Sequence, residues 1–397
     1  MGKLLITIKG LIPKSVFRLV APIYHWKLAF LGALRYGFPS RSMKVIGVTG
    51  TSGKTTTVEF LHAIFSGAGY KTASMSGLRF KILDKEEPNM LKMTMPGRLR
   101  IQKFLYEAKL AGAEYVFLEV TSEGIKQFRH KFIKFYAAVL TNLSPEHIES
   151  HGGFENYRAA KAELFKLAEI HVLNGDDENS DFFNKLSAKK KIVFKFADYP
   201  KDLKINLAGE FNKMNAVAAI AFAKSEGIKE TTIKESLEKV KSLPGRMEFI
   251  ETSKDFKVVV DYAFLPQALK KVYMTLKKDC QAKNLICVTG AAGGGRDKWK
   301  RPVLGNVANE FCGKVIVTNE DPYDEEPEEI INQVIGRHDF LKILDRREAI
   351  RKALELANKG DVVVVTGKGA EPWIVAKNGQ KIAWDDRAVV REELKGL

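Results

Sequence analysis

A lysine and a threonine follow a glycine at the end of a strand-like run, and together they form a candidate phosphate site. Residues 45–60 read VIGVTGTSGKTTTVEF, and Gly53-Lys54-Thr55 is the end of a Walker A loop. The strict pattern places a glycine at position 48, where this chain has Val48. In a loop of this kind the lysine reaches the terminal phosphates of a nucleotide, and the threonine hydroxyl holds Mg²⁺.

The flanking residues favour a phosphate loop over a chance cluster of glycines. The run MKVIGVTG is apolar and β-branched, as in a buried parallel strand. Val58, Leu61, Ile64 and Phe65 then share one face of a helix. A strand, a glycine-rich turn and a helix aim backbone N–H groups at a phosphate. An ordinary strand–turn–helix corner is the alternative, but it has no need of Lys-Thr after the glycine.

Polar clusters follow three further strand-like runs, where open α/β sheets bind their ligands. FLEVTSEG contains Glu119, and LNGDDENS ends a run with Asn174, Asp176 and Asp177. The stretch TNLSPEHIESHGGFENYRAAKAELF contributes a larger set: Glu146, His147, Glu149, His151 and Lys161. Carboxylate and hydroxyl oxygens are the ligands that Mg²⁺ prefers. With the phosphate loop, these clusters predict a metal–nucleotide site.

Composition and chain order predict a two-part α/β protein. The 397 residues are 45% hydrophobic and 28% charged, which is typical of a globular chain with two or three domains. Strand-like and helical runs alternate throughout, which favours doubly wound, mostly parallel sheets. Leu243-Pro244-Gly245 interrupts this series, so we place a boundary near residue 245. The three cysteines fit no metal site, and we interpret them as core residues in a reducing setting.

The first 43 residues are basic and apolar. They carry seven lysines and arginines and no acidic residue, within a chain of net charge +16. Their longest apolar run, LAFLGAL, is far short of the roughly 20 residues that a membrane-spanning helix needs. Two interpretations remain open: a helix that lies in an anionic membrane interface, or a helix that packs on the domain behind it.

Eight motifs in a fixed order resemble those of the Mur ligases, of the MurE type. The loop GTSGKTT matches the family's own GT-x-GKT form, so Val48 is no defect. The other seven read TMPGRLRIQKFLYEAKLAGAEYVFLEVTS, TNLSPEHIESHGGFENYRAAKAELF, GEFNKMNAVAAIA, LPGRMEFI, VVVDYAFLPQAL, TGAAGGGRDKWKRP and TGKGAEPW. The resemblance as a whole covers about residues 44–397.

The resemblance implies a fold and a reaction. The fold is α/β: a P-loop-containing Mur ligase central domain with a mostly parallel sheet at 44–245, then a Rossmann-like C-terminal domain at 246–397, after a basic segment at 1–43. Mur ligases use ATP to activate a carboxylate as an acyl phosphate, which an incoming amine attacks. The expected substrates are a muropeptide-type cell-wall precursor and an amino acid. The expected cofactors are ATP and Mg²⁺, with Lys161 carbamylated.

The resemblance also assigns roles to residues. Lys54, Glu119, His147 and Lys161 are the implied catalytic residues, and Thr55, Glu119, His147 and Lys161 surround the metal. The implied nucleotide contacts are Gly50, Thr51, Ser52, Gly53, Lys54, Thr55, Thr56, Asn212, Arg246 and Asp261. The implied substrate contacts are Thr94, Pro96, Thr121, Ser122, Arg296, Asp297, Asp321, Gly367 and Glu371. As alternatives from the residues alone, Asn212 caps a helix and Lys161 is an exposed helix lysine.

This chain departs from the family pattern in four places. The N-terminal domain that binds the uridine nucleotide is absent, which leaves a nucleotide-linked or a lipid-linked acceptor open. Glu123, Phe264 and Ala370 stand where the family has histidine. Tyr323 replaces the arginine that grips the second carboxylate of diaminopimelate, and a tyrosine cannot form that bidentate clamp. Diaminopimelate is therefore not supported as the added amino acid.

Other functions remain as rivals. A Mur-type ligase for another acid, such as a folate glutamate chain, a lipid-linked muropeptide or a cyanophycin-like polymer, is one. A membrane-associated NTPase that does not ligate is another. Four residues of the second series, Arg246, Asp261, Arg296 and Asp297, are expected to face the nucleotide, and a simple switch NTPase would not need them. No recognition motif supports nucleic-acid binding. We expect a cytoplasmic monomer, at the inner face of the membrane if residues 1–43 bind lipid.

Overall fold

The computed structural model describes residues 14–397, with side chains from residue 21 onward. Helix α1 (Lys14–Arg35) precedes the first sheet. Its small residues Ala29, Gly32 and Ala33 are buried, and Gly32 lies against the backbone of Arg98 and Leu99. One face of α1 therefore packs on the domain behind it.

Eight strands form the first sheet, with helices on both faces. The strands are β1 (Lys44–Thr49), β2 (Thr72–Met75), β3 (Arg79–Ile82), β4 (Lys85–Pro88), β5 (Tyr115–Glu119), β6 (Phe135–Leu140), β7 (Ile170–Asn174) and β8 (Lys190–Phe194). The helices are α2 (Lys54–Gly67), α3 (Arg98–Leu110), α4 (Ser122–Lys126), α5 (Ile148–His151), α6 (Phe154–Leu167), α7 (Ser180–Asn184), α8 (Glu210–Ser225) and α9 (Glu230–Glu238).

The strand order β4-β3-β2-β5-β1-β6-β7-β8 places β1 between β5 and β6. The neighbouring strands in the series β2-β5-β1-β6-β7-β8 pair in parallel. At one edge, β3 pairs antiparallel with both β2 and β4. Val45 faces one core with α3 and α6, and Ile46 and Val48 face the other with α2 and α8. The carboxyl ends of β1, β5 and β6 meet at one edge, since Val48 pairs with Glu119 and Thr49 pairs with Leu140. This edge gathers the predicted chemistry.

A second sheet begins after residue 245 and shares no strand with the first. Its strands are β9 (Glu248–Ile250), β10 (Lys257–Asp261), β11 (Leu285–Thr289), β12 (Lys314–Val317), β13 (Leu341–Lys342) and β14 (Val362–Thr366), and a hairpin of β15 (Trp373–Val375) and β16 (Lys381–Ala383) follows. Its helices are α10 (Pro266–Asp279), α11 (Lys300–Phe311), α12 (Pro327–Ile335), α13 (Arg346–Glu355) and α14 (Asp386–Lys395). The order β13-β12-β11-β14-β10-β9 is parallel except for β9.

The predicted fold class, a mostly parallel P-loop domain followed by a Rossmann-like domain, is confirmed. The boundaries at 43 and 245 stay predictions. The cysteines pack in or against the core of the second domain, as predicted, but the reducing setting is not supported: Cys287 on β11 and Cys312 after α11 form a disulfide, and Cys280 is free. The packing of α11 on the sheet brings these two residues together. Within residues 14–397, no helix is both long and apolar enough to cross a bilayer.

Candidate active site

The loop after β1 is shaped by two glycines and anchored by β6. Gly50 and Gly53 have φ values of +150° and +80°, and a Cβ at Gly50 would collide with Thr141. The backbone N–H of Thr51 donates to the carbonyl of Asn142 at 2.8 Å, and that of Ser52 donates to the Asn142 side chain at 3.0 Å. The tight turn and these anchors place the loop before α2, as phosphate binding requires.

Lys54 curls back over this loop. Its Nζ donates to the carbonyls of Gly50 at 3.1 Å and Thr51 at 2.9 Å, and lies 3.9 Å from a carboxylate oxygen of Glu119. Burial lowers the pKa of Lys54, while Glu119 and Glu146 oppose that shift. The ammonium is held where a phosphate of a bound nucleotide would compete for it.

Thr55 and Glu119 form the oxygen-rich part of the predicted metal site. The Thr55 hydroxyl donates to Glu119 Oε2 at 2.9 Å, and the Gly77 N–H donates to the same oxygen at 2.9 Å. Burial and then the cations Arg296 and Lys300 lower the pKa of His147 to about 3, so its imidazole is neutral, the form that binds metals. These donors fit Mg²⁺.

The described residues contain no group of three or more His, Cys, Asp or Glu side chains placed to hold a metal. The predicted ligand set has only Glu119 and His147 of those types, together with Thr55 and Lys161. Mg²⁺ usually keeps several water ligands, so a set this small remains compatible with it.

Lys161 lies beneath the phosphate loop. Its side chain is 2% exposed, its Nζ donates to the carbonyl of Gly50 at 2.8 Å, and it lies 4.6 Å from the centre of the Tyr157 ring. Burial, then the charge of Lys54, lowers the pKa of Lys161 well below its usual value. The alternative of an exposed helix lysine is therefore wrong.

The three predicted nucleotide contacts outside the loop all line the same cleft. Asn212, in the first turn of α8, donates to the carbonyl of Ala208 at 2.7 Å, so it also braces its own helix. The Arg246 guanidinium lies over the Tyr262 ring, 4.3 Å from its centre. Asp261 accepts the N–H groups of Met247 and Ala263, each at 2.7 Å, and orders the connection between the sheets.

One cavity of about 1320 Å³ lies between the two sheets and joins these groups. All seven loop residues line it, as do the predicted substrate residues Thr94, Thr121, Ser122, Arg296 and Glu371. Pro96, Asp297, Asp321 and Gly367 do not line it. Asp297 instead accepts the N–H groups of Ile148 and Glu149 at 3.1 Å each, which holds the second domain on α5.

Sequence reasoning missed several residues of the cleft, among them Asn142, Tyr157, Gln127 and Arg129. The Arg129 guanidinium donates to the Gln127 side chain at 2.7 Å and also contacts the Met95 carbonyl and the Met93 sulfur, but it has no ion pair among residues 21–397. A guanidinium without a carboxylate partner in a cleft is suited to bind an anionic group. Asn142 follows β6 in the polar stretch that was singled out, so its position was a usable signal, whereas nothing local marked Arg129.

The residues that depart from the family pattern have their own contacts. Glu123 accepts the Ser150 hydroxyl at 2.7 Å and lies 3.4 Å from His151 Nε2. Phe264 packs edge-on against Tyr262, with 5.1 Å between ring centres. Ala370 and Tyr323 line the cleft.

Comparison with known proteins identifies the same two units. The model of the Mur ligase middle domain matches residues 48–201, and that of the Mur ligase glutamate ligase domain matches residues 245–369. The UDP-N-acetylmuramoyl-L-alanyl-D-glutamate–2,6-diaminopimelate ligase of Syntrophomonas wolfei is 37% identical over an alignment of 413 positions, gaps included, that covers 95% of this chain and 83% of that protein. Its namesake from Aquifex aeolicus is 35% identical and covers 91% of this chain and 79% of its own length.

Solved structures give the same result. A structure of an enzyme with that name is 30% identical, with a TM-score of 0.59 over 89% of this chain and 78% of its own. A folylpolyglutamate synthase/dihydrofolate synthase from Yersinia pestis, complexed with AMPPNP and a Mn ion, has a TM-score of 0.71 at 21% identity, over 86% of this chain and 90% of its own. The second likeness concerns the fold alone.

Proposed function

This chain belongs to the Mur ligase family of ATP-dependent C–N ligases, and we propose that it adds an amino acid to a muropeptide-type cell-wall precursor. One observation carries the proposal. The first domain contributes a phosphate loop with Lys54, and the chain after residue 245 contributes the guanidinium of Arg246, to one cleft. An acyl phosphate concentrates negative charge, and cations from both sides neutralise it.

The reaction has two steps. A carboxylate of the acceptor attacks the terminal phosphorus of ATP, giving an acyl phosphate and ADP. The amine of the incoming amino acid then attacks the acyl carbon and loses a proton as phosphate leaves. Mg²⁺, when bound, supplies charge neutralisation on the phosphates.

The chain's own residues prepare both steps. The Lys54 ammonium releases its hydrogen bonds to the two loop carbonyls and binds the phosphates of ATP instead. Thr55, Glu119 and His147 supply the oxygen and nitrogen donors for the ion. The cleft between the sheets holds the reactants next to each other. In well-oriented intramolecular reactions, such positioning lowers the activation barrier by about 7–11 kcal/mol.

We also propose that Lys161 is carbamylated. Only a neutral amine attacks CO₂, and the lowered pKa of Lys161 favours that form. The carbamate would turn a cation beside Lys54 into an anion, which relieves the repulsion between two buried ammonium groups and provides oxygen ligands beneath the loop. The support for the carbamate is the burial of Lys161 and the neighbouring charge of Lys54.

The acceptor is proposed to enter beside Thr94, Thr121, Ser122 and Arg129. These side chains line the cleft, and the Arg129 guanidinium, which has no carboxylate partner among residues 21–397, suits an anionic acceptor. The names of the relatives above specify a UDP-linked substrate, so the assay below compares nucleotide-linked with lipid-linked acceptors.

We further propose that residues 1–43 bring the enzyme to an anionic membrane surface. The outer face of α1 exposes Ile23, Leu31 and Leu34 by 61%, 57% and 55%, with Lys27 and Arg35 beside them. Each basic residue contributes roughly 1 kcal/mol near such a surface. Residues 1–13 lie outside the described residues. The two interpretations of this segment are compatible, because one face packs while the other is free.

A coupled assay of ADP release tests the ligase. Purified protein is incubated with ATP, Mg²⁺, single amino acids, and muropeptide acceptors in nucleotide-linked and lipid-linked forms, and mass spectrometry identifies the product. ADP release that requires both acceptor and amino acid, with a product heavier by one residue, is the expected result. ATP hydrolysis that neither substrate stimulates would favour the non-ligating NTPase instead.

A further inference from the structure

Lys92 reaches from the first domain into the second. It lies in the loop between β4 and α3, and its side chain is 9% exposed. Its Nζ contacts Asp321 in a short ion pair, lies 3.0 Å from Glu371 Oε2, and donates to the carbonyl of Trp373 at 3.4 Å. Lys92 and Asp321 are 229 positions apart in the sequence.

A second lysine uses the same three acceptors. Lys368, which is fully buried, donates to Asp321 at 3.0 Å, to Glu371 at 2.6 Å and to the carbonyl of Trp373 at 2.8 Å. The other oxygen of Glu371 accepts the Tyr262 hydroxyl at 3.0 Å. Two ammonium groups therefore share two carboxylates and one carbonyl, and the pairing is complete without any substrate.

The local charge agrees with this pairing. Burial opposes the charged form of each group, but Glu371 and Asp321 outweigh it and raise the pKa of Lys92, while Lys368 and Lys92 lower the pKa of Asp321. Lys92 and Glu371 line the cleft, whereas Asp321 and Lys368 lie behind them.

The loop is built to hold Lys92 in place. The Asn89 side chain donates to the carbonyls of Ser76 at 2.9 Å and Met93 at 3.2 Å, and accepts the Leu91 N–H at 3.1 Å. Lys92 itself has a φ of +50°, in the left-handed region that non-glycine residues adopt infrequently.

We infer that Lys92 determines amino-acid specificity: its ammonium occupies the position beside Asp321 and Glu371 that a second substrate ammonium would take, so the enzyme adds amino acids with a single amino group. This inference rests on the proposed function, since it assigns the end of the cleft around Tyr323, Arg296 and Glu371 to the incoming amino acid. The guanidinium of Arg296 has no hydrogen bond or ion pair among residues 21–397, and so remains free for a carboxylate of that substrate.

Isosteric amino acids test the inference. Calorimetry on the full-length protein with Mg²⁺ and a non-hydrolysable ATP analogue compares norleucine with lysine, and 2-aminopimelate with 2,6-diaminopimelate. Where affinity is too weak, the ratio of kcat/KM from product formation is used. The wild type is expected to favour the member without the extra amino group by about tenfold or more, the scale of one charge-assisted hydrogen bond.

Three variants complete the test. Lys92→Met keeps the length but removes the charge, and should shift each ratio towards the diamino member by about tenfold. Lys92→Arg should keep the wild-type ratio, and Lys85→Met, at an exposed lysine of β4, is the matched control.

The outcomes separate this inference from the ligase proposal. A wild type that prefers the diamino member, a Lys92→Met ratio equal to that of the wild type, or the absence of binding and turnover for all four amino acids would overturn the inference. The expected binding ratios without any ADP release would support the inference and refute the ligase.

Discussion

Lys161 Nζ donates a hydrogen bond to the carbonyl oxygen of Gly50 at 2.8 Å, beneath the first residue of the phosphate loop. The two residues are 111 positions apart, and the lysine is buried. A buried amine at this place has no carboxylate within ion-pair distance among the described residues, so burial penalises its charge.

Lys161→Ala is expected to reduce ADP release by roughly 100-fold or more, the cost of removing a preorganised electrostatic group. High bicarbonate should not restore the variant, because the attacking amine is gone, whereas small carboxylic acids should restore part of the activity. Lys166→Ala, at an exposed lysine of α6, is the control. Near-normal turnover in Lys161→Ala would remove the proposed carbamate.

Lys54→Ala is expected to abolish ATP turnover for practical purposes, which means a rate reduced by about 100-fold or more, and to leave the protein folded. Its ammonium contacts two loop carbonyls and the Glu119 carboxylate but belongs to neither hydrophobic core of the first domain, so circular dichroism and the thermal midpoint should be close to wild type. Unchanged turnover would contradict the phosphate-loop assignment.

Stability is expected to fall as the pH decreases from 7 to 5. Burial lowers the pKa of His130 to about 4, and neither ring nitrogen has a partner among the described residues. The unfolded chain takes up a proton near pH 6.5, whereas the folded chain does so only near pH 4, so the neutral histidine favours folding above pH 6.5 and this advantage is lost below it. Its share is about 2 kcal/mol between pH 7 and 5.

Urea unfolding of the wild type and of His130→Phe at pH 7 and pH 5 measures this share. The aromatic replacement does not titrate and loses no hydrogen bond, so the pH dependence should become shallower. An equal loss of stability in both proteins would assign the effect to other groups.

Asp386→Ala is expected to reduce the free energy of unfolding by about 3–5 kcal/mol, because it leaves a buried guanidinium unpaired. Arg346 Nε and Nη2 each donate to Asp386 at 2.8 Å, and both side chains are almost fully buried. Lys352→Ala, in an exposed ion pair on α13, is the control and should leave the unfolding midpoint unchanged. A similar midpoint for both variants would count against this estimate.

Full-length protein is expected to float with anionic liposomes at low salt and to dissociate at high salt, since screening weakens the attraction of exposed basic residues. The double variant Leu31→Asp/Leu34→Asp should weaken flotation, while Val193→Asp, at an exposed residue of β8, should not. No flotation of the wild type at low salt would leave α1 a purely structural helix.

The sequence by itself determined the central buried strands, the phosphate loop and the order of the motifs, but not the edge strands such as β3 and β4, which have no long apolar run. Apolar β-branched runs are typical of buried parallel strands, and the polar residues that follow such strands lie at one edge of the sheet. Lys54, Thr55 and Glu119 could be grouped in this way because Glu119 ends a strand and the other two lie in the loop and helix that follow one, and the fold class could be predicted for the same reason.

Only the tertiary structure decided which groups meet across the cleft. The contacts of Lys92 with Asp321, of Asp297 with α5, and of Cys287 with Cys312 depend on how the helices, the loops and the second sheet pack, and no periodicity in the chain encodes those distances. Burial likewise converts Lys161 from one lysine among many into an amine of lowered pKa, since the low dielectric that penalises its charge exists only in the packed protein.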